Sequence, residues 1–294
     1  MKQYFPNLYA RLSLAMAVLL ISGAATARGA DVTFTGEGTA ESPYLIQSKA
    51  DLISLSVLSN TGETFAGKYF RMTADIDLEH SSDFQGICVG SNTAANAFAG
   101  IFDGDGHTVD NMDFKLTVWS QQPTDTEMGK VLTSGTSVKK YQGLFGCLAE
   151  SGIIRNVTIG AGSVLELNGY SAAIVGYSHG TVENCVNYAD ILTYGDSNVA
   201  GIVGYANYKS VIRNCVNSGD ITCGSKYAAG IVGYNCGLVS GCVNTGNVTG
   251  KLMAANITET SIFPFGGITA ATYSRIEYCV NFGTVTGYKT LGGI

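Results

Sequence analysis

The chain of 294 residues has few charged residues, only 14% against about 25% in an average soluble domain. It holds 17 Lys and Arg against 23 Asp and Glu, so its net charge is −6. A protein that neutralises a phosphate backbone needs an excess of basic side chains. We therefore expect no nucleic-acid partner.

Long apolar runs are also absent beyond the N-terminal segment, so we predict no membrane span in the mature chain. The N-terminal segment has Lys2 and Arg11 before an apolar run at 12–25, and the run ends in the small-residue sequence Ala25-Thr26-Ala27. This order is typical of a signal peptide with a cleavage site. We predict that residues 1–27 are a signal peptide and that the protein is secreted or attached to the cell surface.

The sequence is rich in glycine and in apolar residues, with 38 Gly and 46% hydrophobic residues. This apolar content excludes a disordered chain. The β-branched residues are separated by Gly, Asn, Ser and Asp, which favour turns, and no helical period runs through the C-terminal half. A protein made of short strands is predicted.

A strand motif recurs at intervals of 26 to 37 residues from residue 139 onward. Its copies read Gly-Leu-Phe-Gly or Gly-Ile-Val-Gly, with some substitutions, at 143–146, 173–176, 201–204, 230–233 and 267–270, and 293–294 begin another. Each unit is predicted to contain about three short strands. A unit of this size buries its apolar face only by stacking on its neighbours.

A second block, Cys-Val-Asn, follows each later strand motif. Parallel stacking at about 4.8 Å per strand would align the equivalent residues of successive units. The predicted structural columns are Cys185, Cys215, Cys242 and Cys279, and Asn187, Asn217, Asn244 and Asn281.

These units predict an all-β fold, a right-handed parallel β-helix or β-solenoid of stacked repeats with a flattened, three-sided section. A β-propeller is less favoured, since its blades need about 40 residues and four strands. The Trp-Asp signature of many propellers is missing, and the chain has a single Trp.

The Gly-[Leu/Ile]-[Phe/Val]-Gly strands followed by Asn-Cys-Val-Asn resemble GLUG-motif repeats of bacterial secreted and surface proteins, among them some immunoglobulin A peptidases. The resemblance covers 139–294, and 36–109 is similar to the region that precedes such repeats. It implies a β-helical scaffold. It says little about activity, because such repeats resemble scaffolds attached to several activities.

The expected organisation is a signal peptide at 1–27, an N-terminal cap with the first coils at 31–138, and GLUG-type repeats at 139–294. Residues 48–59 predict an amphipathic helix that begins with a Ser48 and Asp51 capping box and covers the open end of the solenoid. Residues 119–140 read as a long excursion and 251–263 as a loop insertion. Because the last unit stops inside a strand motif, we expect the sequence to be a fragment.

Eight Cys in an exported chain leave two alternatives open. The repeated Cys suit a buried column without disulfides, since a free Cys behaves as a small apolar residue. Bridges, if formed, would join Cys223 to Cys236 or Cys236 to Cys242. We predict no metal site, because no Cys-x-x-Cys pair occurs and a stacked column cannot supply a tetrahedral shell.

The run Asp103-Gly104-Asp105-Gly106-His107 allows a calcium or acid–base site, but it also suits a tight turn between two strands, which is our prediction. Elsewhere no nucleophile pattern accompanies His80 or His179. A lyase or glycosidase needs clustered carboxylates. The repeat acids, Asp190, Asp196, Asp220 and Glu277, are expected to be scattered. We predict no catalytic residues.

Tyr177, Tyr205 and Tyr234 follow the Ile-Val-Gly strands and should form a column. If the rings face outward they could bind sugars, and if inward they fill the core. The sequence leaves that side open.

The resulting prediction is a non-catalytic, exported bacterial scaffold for adhesion or glycan binding, with these Tyr as ligand-binding residues. Its partner would be an extracellular glycan or a host or cell-surface protein, and no cofactor is implied. The alternative is a β-helical polysaccharide lyase or glycosidase, or an accessory arm of a larger secreted peptidase.

Overall fold

The structure is a computed structural model that describes residues 34–89, 96–114, 141–167, 169–193, 198–224, 227–251, 264–287 and 290–294. The predicted signal peptide at 1–27, the excursion at 119–140, nearly all of the insertion at 251–263 and Asp196 lie outside the described residues.

One helix, α1 (Lys49–Asn60), follows the first strand of the described chain. Ser48 is its N-cap, and the Ser48 hydroxyl accepts a hydrogen bond from the Asp51 amide at 3.4 Å. The Asp51 carboxylate accepts in return from the Ser48 hydroxyl at 2.9 Å and from the Gln47 amide at 3.0 Å. The predicted helix is therefore confirmed to within one residue.

Thirty-two short strands make up the rest of the regular structure in the described ranges. The N-terminal part contains β1 (Tyr44–Ile46), β2 (Tyr69–Met72), β3 (Ile76–Asp77), β4 (Ile101–Asp103), β5 (Thr108–Asp110) and β6 (Asp113–Phe114). The next two turns contain β7 (Tyr141–Gln142), β8 (Phe145–Leu148), β9 (Ile153–Arg155), β10 (Thr158–Ile159) and β11 (Val164–Leu167), then β12 (Tyr170–Ala172), β13 (Val175–Ser178), β14 (Thr181–Glu183), β15 (Val186–Asn187) and β16 (Ile191–Thr193).

Three further turns follow the same order. They contain β17 (Asn198–Ala200), β18 (Val203–Ala206), β19 (Val211–Arg213), β20 (Val216–Asn217) and β21 (Ile221–Cys223), then β22 (Tyr227–Ala229), β23 (Val232–Asn235), β24 (Leu238–Ser240), β25 (Val243–Asn244) and β26 (Val248–Gly250), then β27 (Phe265–Gly266), β28 (Thr269–Thr272), β29 (Ile276–Glu277), β30 (Val280–Asn281) and β31 (Val285–Thr286). Strand β32 (Leu291–Gly292) begins one more turn.

Each strand pairs in parallel with its equivalent in the neighbouring turn, so the strands form five sheets along one axis. We call them sheet A (β1-β2-β4-β9-β14-β19-β24-β29), sheet B (β3-β5-β10-β15-β20-β25-β30), sheet C (β8-β13-β18-β23-β28), sheet D (β6-β11-β16-β21-β26-β31) and sheet E (β7-β12-β17-β22-β27-β32). The chain is thus an all-β parallel β-solenoid, as the repeats predict.

The number of strands in each turn differs from the expectation of about three, and the three-sided section stays a prediction. A complete turn has five strands, several of them only two residues long. Strands this short span a single alternation, so their periodicity is too weak to detect in the sequence. The Gly201-Ile202 half of the strand motif is in fact a bend between β17 and β18.

The core is built from columns of buried apolar side chains with 0 to 2% exposed area. Three such columns are Val175, Val203 and Val232 in sheet C, Val182, Ile212 and Val239 in sheet A, and Ile191, Ile221 and Val248 in sheet D. The side chains of Leu52 and Leu55 on α1 belong to the same core cluster. The helix is fixed to the first coils by hydrogen bonds from Ser56 Oγ to the Gly86 carbonyl at 2.7 Å and from the Cys88 amide to Ser59 Oγ at 3.1 Å.

Candidate functional site

The three predicted tyrosines form a column on sheet C, which we call the tyrosine ladder (Tyr177, Tyr205 and Tyr234). Each ring belongs to the same position of β13, β18 or β23, two residues after a buried Val. The register continues to Cys147 on one side and to Ala271 on the other. The repeat spacing alone therefore creates the ladder.

The rings of the ladder are stacked face to face. The centroids of Tyr177 and Tyr205 are 4.8 Å apart with an interplanar angle of 5°, and those of Tyr205 and Tyr234 are 5.0 Å apart at 6°. Tyr273 from the next turn stacks on Tyr234 at 5.3 Å and 29°. Both faces of Tyr205 are thus covered by its neighbours in the ladder.

Further tyrosines lie beside the ladder on sheet E, in a column that Asn198 interrupts between Tyr170 and Tyr227. Tyr141 and Tyr170 are stacked at 5.4 Å and 11°. Tyr170 meets Tyr177 edge-on at 5.9 Å, and Tyr227 meets Tyr234 edge-on at 5.4 Å. Such edge-to-face pairs are favourable because the positive ring edge meets the negative ring face. Together with the ladder, which is the continuous side, these rings form what we call the tyrosine strip.

The ladder rings are half-buried, so the structure places them between the two alternatives that the sequence left open. The Tyr177 hydroxyl accepts a hydrogen bond from Asn207 Nδ2 at 3.1 Å, and the Tyr205 hydroxyl lies 3.8 Å from Cys236 Sγ. Burial raises the pKa of Tyr177 and Tyr205, and hydrogen bonding with Tyr273 raises the pKa of Tyr234 to about 12. The ladder is therefore made of uncharged phenols at neutral pH.

Among the described residues, strongly exposed tyrosine rings lie outside the ladder, at positions for which no role was predicted, and Tyr278 is the most exposed of them at 88%. Tyr208 is 72% exposed at the corner after β18, and Tyr273 is 74% exposed after β28. The Lys209 ammonium lies 5.7 Å from the Tyr208 ring centroid and binds the Glu150 carboxylate at 2.6 Å. The sequence could have indicated Tyr208 and Tyr273, because each follows the ladder position of its own turn by two or three residues.

The four predicted asparagines form one column in sheet B. The Asn187 side-chain amide donates to Asn217 Oδ1 at 2.8 Å, and the next two rungs repeat this bond at the same distance. Each amide also donates to the carbonyl two residues ahead in its own turn. Asn187, Asn217 and Asn244 have no exposed area. This ladder satisfies buried polar groups inside the core.

The four predicted cysteines form a parallel column next to the asparagines. Cys185, Cys215 and Cys242 are fully buried, and Cys279 in the last turn is half-buried. Each thiol donates to the carbonyl two residues before it, at 3.2 to 3.4 Å. All eight cysteines lie within the described residues and none forms a disulfide there. Burial raises the pKa of Cys215 and so keeps this thiol protonated.

The run from Asp103 to His107 forms the corner between β4 and β5, as predicted for a turn. Asp105 and Gly106 adopt positive φ angles of 50° and 84° there. The Asp103 carboxylate accepts from Arg155 Nε and from Asn156 Nδ2, both at 2.8 Å. His107 Nδ1 lies 3.2 Å from the Asp75 carboxylate. These contacts give the corner charges a structural function.

Asp103 is one member of a charged column on sheet A that the sequence analysis missed. The register aligns side chains of alternating sign, namely Arg71, Asp103, Arg155, Glu183 and Arg213. Arg155 pairs with Asp103, and Arg213 pairs with Glu183. Alternation places opposite charges on adjacent strands, and this arrangement favours the in-register pairing.

The pH dependence of unfolding tests this column. Burial alone would raise the pKa of Asp103, but hydrogen bonds from Asn156, the Asp105 amide and Arg155 lower it below its ordinary value. A depressed carboxyl pKa stabilises the fold above the unfolded-state value of about 3.9, and the contribution is lost as the pH falls through the lower folded-state value. We expect Asp103→Asn to lower the urea midpoint at pH 7 and to differ progressively less from wild type below pH 4. A difference that is constant from pH 7 to pH 3 would contradict the assignment.

The expectation that the repeat acids are scattered is wrong for two of them. Asp190 and Asp220 occupy the same position in successive turns, and the Asp220 amide donates to Asp190 Oδ1 at 2.8 Å. The Asp220 carboxylate in turn accepts from the Asn247 amide at 2.7 Å. With Glu166 they line an open groove beside sheet D. Their backbone contacts give Asp190 and Asp220 a structural function, linking one turn to the next.

In the part of the chain that the structure describes, no group of three or more His, Cys, Asp or Glu side chains is arranged to hold a metal ion. Over the same part of the chain, no helix has both the length and the apolar character to cross a bilayer.

Two known proteins are similar to this chain in sequence. Halomucin from Haloquadratum walsbyi is 26% identical over 234 residues, which cover 68% of this chain and 2% of halomucin. A proposed Gly-rich membrane protein from Evansella cellulosilytica is 32% identical over 155 residues, which cover 51% of this chain and 15% of the relative. The chain thus spans a small part of the length of each relative, and neither relative has an enzyme's name.

A solved structure shares the fold. The crystal structure of a proposed immunoglobulin A1 protease from Bacteroides ovatus superposes with a TM-score of 0.61 over 88% of this chain and 72% of the other. The sequence identity is 21%, so the likeness concerns the fold alone. The family model described as the GLUG motif matches residues 195–222, which contain β17 to β20 and begin β21. The chain is therefore a parallel β-solenoid that carries the GLUG motif, as its repeated strands indicate.

Proposed function

We propose that this chain is part of an exported bacterial surface or secreted scaffold and that its tyrosine strip binds extracellular glycans in adhesion. The observation that carries the proposal is the row of half-buried ladder tyrosines beside the exposed rings of Tyr208 and Tyr273. Phenol hydroxyls supply hydrogen bonds to sugar hydroxyls, and exposed ring faces pack against the apolar faces of sugars. The solenoid holds these groups at a fixed spacing.

The names of the two relatives support a surface location. One is called halomucin and the other a Gly-rich membrane protein. In this proposal residues 1–27 direct export, and the chain carries no catalytic residues of its own. The acids that come together, Asp190 and Asp220, are already used by backbone amides of the next turn.

A glycan array probed with the mature chain tests the proposal. Tyr205→Phe keeps the stacked ring and removes one hydroxyl, so binding should weaken by up to about tenfold, the value of one lost hydrogen bond. Tyr208→Ala removes an exposed ring beside the strip and should weaken binding further. Tyr188→Ala, at an exposed ring after β15 on sheet B, is the matched control and should bind as wild type does. Absence of binding to every glycan, or equal loss in all three variants, would overturn the proposal.

A second candidate function rests on the structural likeness to the proposed immunoglobulin A1 protease. In that case the chain would be an accessory arm of a secreted peptidase, or a β-helical lyase or glycosidase. Cleavage of a polysaccharide by the purified chain, abolished by Asp220→Asn, would favour an enzyme. A folded chain that binds glycans without cleaving them favours the scaffold.

A further inference from the structure

The tyrosine ladder has a geometry that suits covalent chemistry between its rings. Tyr177 and Tyr205 are nearly parallel and have their centroids 4.8 Å apart, and Tyr205 and Tyr234 repeat this at 5.0 Å. In-register rings are related by a translation along the axis, so equivalent ring carbons are separated by about the same distance as the centroids. The carbon ortho to each hydroxyl therefore lies next to its counterpart in the neighbouring turn.

We propose that the tyrosine ladder is a site of oxidative cross-linking, in which neighbouring rings couple to dityrosine and join successive turns of the solenoid. The oxidant is hydrogen peroxide used by a haem peroxidase. This proposal is independent of glycan binding, because it concerns the ring-to-ring distances and not a ligand.

The reaction balances with one peroxide for each pair of rings. Each of the two phenols loses one electron and one proton, which gives two phenoxyl radicals, and the peroxide is reduced to two water molecules. The radicals form one bond between their ortho carbons. The two ring hydrogens at the new bond then move to the phenol oxygens, so aromaticity is restored and the product is two hydrogens lighter than the two tyrosines.

The surroundings of the ladder permit this reaction. The rings are half-buried, so electrons can be removed from the solvent side. The fixed stacking of Tyr205 between two partners favours coupling within the chain over coupling between chains, because the second ring is always present. Cys236 Sγ lies 3.8 Å from the Tyr205 hydroxyl. This thiol is a competing hydrogen donor to the Tyr205 radical.

A cross-link at the ladder would stabilise the solenoid. A bond between Tyr177 and Tyr205 closes a loop of the unfolded chain and lowers its conformational entropy, as a disulfide does. The rings are already adjacent in the folded protein, so the coupling needs only local movement, in which the ortho carbons close from about 4.8 Å to bonding distance and the two rings turn out of the face-to-face stack. The cross-linked chain should therefore unfold at higher urea concentration.

The test treats the mature chain with horseradish peroxidase and a limiting amount of hydrogen peroxide. We expect dityrosine fluorescence in the monomer band, a yield that does not change with protein concentration, and a cross-linked peptide pair that contains Tyr177 and Tyr205 and is two hydrogens lighter. Cys236→Ser should increase the yield. Dityrosine found only in dimers, or only at Tyr188, Tyr208 or Tyr278, would overturn the proposal.

Two variants keep the test specific. Tyr205→Phe retains the stacked ring but cannot form a phenoxyl radical, so both pairs that include Tyr205 should disappear. Tyr208→Phe is the matched control, since this exposed ring is outside the ladder, and its intramolecular yield should equal that of the wild type. Equal yields in the two variants would contradict a ladder site. Circular dichroism of both variants before oxidation checks that the fold is retained.

Discussion

Gly204→Ala should destabilise the chain by about 3 kcal/mol, the upper part of the usual range for overpacking. A Cβ at this position would lie 2.5 Å from the Ser171 amide nitrogen, 2.7 Å from the Gly176 carbonyl and 2.8 Å from the Asn198 carbonyl. All three are backbone atoms, which cannot move aside as a flexible side chain can. The last glycine of the strand motif thus permits sheets E and C to pack backbone against backbone.

Urea unfolding measures this cost, and Gly67→Ala is the matched control. Gly67 has a φ of +70°, but nothing lies within 4 Å of its Cβ position, so the control tests backbone strain alone. That strain should cost about 1–2 kcal/mol. The last turn has Ala270 at the equivalent position, and there Gly266 replaces the alanine of the facing strand. A Gly204→Ala variant no less stable than the control would show that the close packing is wrong.

Asn217→Ala should also cost about 3 kcal/mol, because it breaks a buried ladder on both sides. Asn217 donates to Asn244 Oδ1 and to the Gly219 carbonyl, and it accepts from Asn187. The variant leaves the amide groups of Asn187 and Asn244 without these partners in the core. The loss of each buried partner costs roughly 1–3 kcal/mol, and the removed side chain leaves a small cavity.

Asn281→Ala is the control for this prediction, since it belongs to the same column. Asn281 is half-buried, and within the described residues its ladder neighbour is Asn244 alone. Its loss should therefore cost less than half as much in urea unfolding. Equal costs for the two variants would mean that burial and bonding on both sides do not set the stability of the ladder.

The repeat spacing predicted which residues of successive turns lie in the same column. Equivalent residues such as Asn187 and Asn217 are 30 positions apart, and the structure places them in one column. The strand count could not be predicted in the same way. Strands such as β15 and β20 have two residues, too few for an alternating pattern to appear in the sequence.

The columns that the sequence analysis missed are polar ones. Glu183 and Arg213 share a register position on sheet A, as do Asp190 and Asp220 before sheet D. Their repeat spacing is visible in the sequence, but the residue type changes along one column and the other column has only two acids. The Cys and Asn columns keep one residue type throughout, so they are easier to detect. Whether the tyrosine column faces the core or the solvent could not be predicted, because the half-buried position of Tyr205 depends on how closely sheet E packs against it.

The most direct test of the stacked, in-register solenoid is a double-mutant cycle between Asn217 and Asn244, measured by urea unfolding. These residues are 27 positions apart and donate side chain to side chain at 2.8 Å. The structure predicts a coupling free energy of about 1 kcal/mol or more, as residues in one hydrogen-bonded network show. Costs that add to within about 0.3 kcal/mol would mean that the two turns are not stacked in this register.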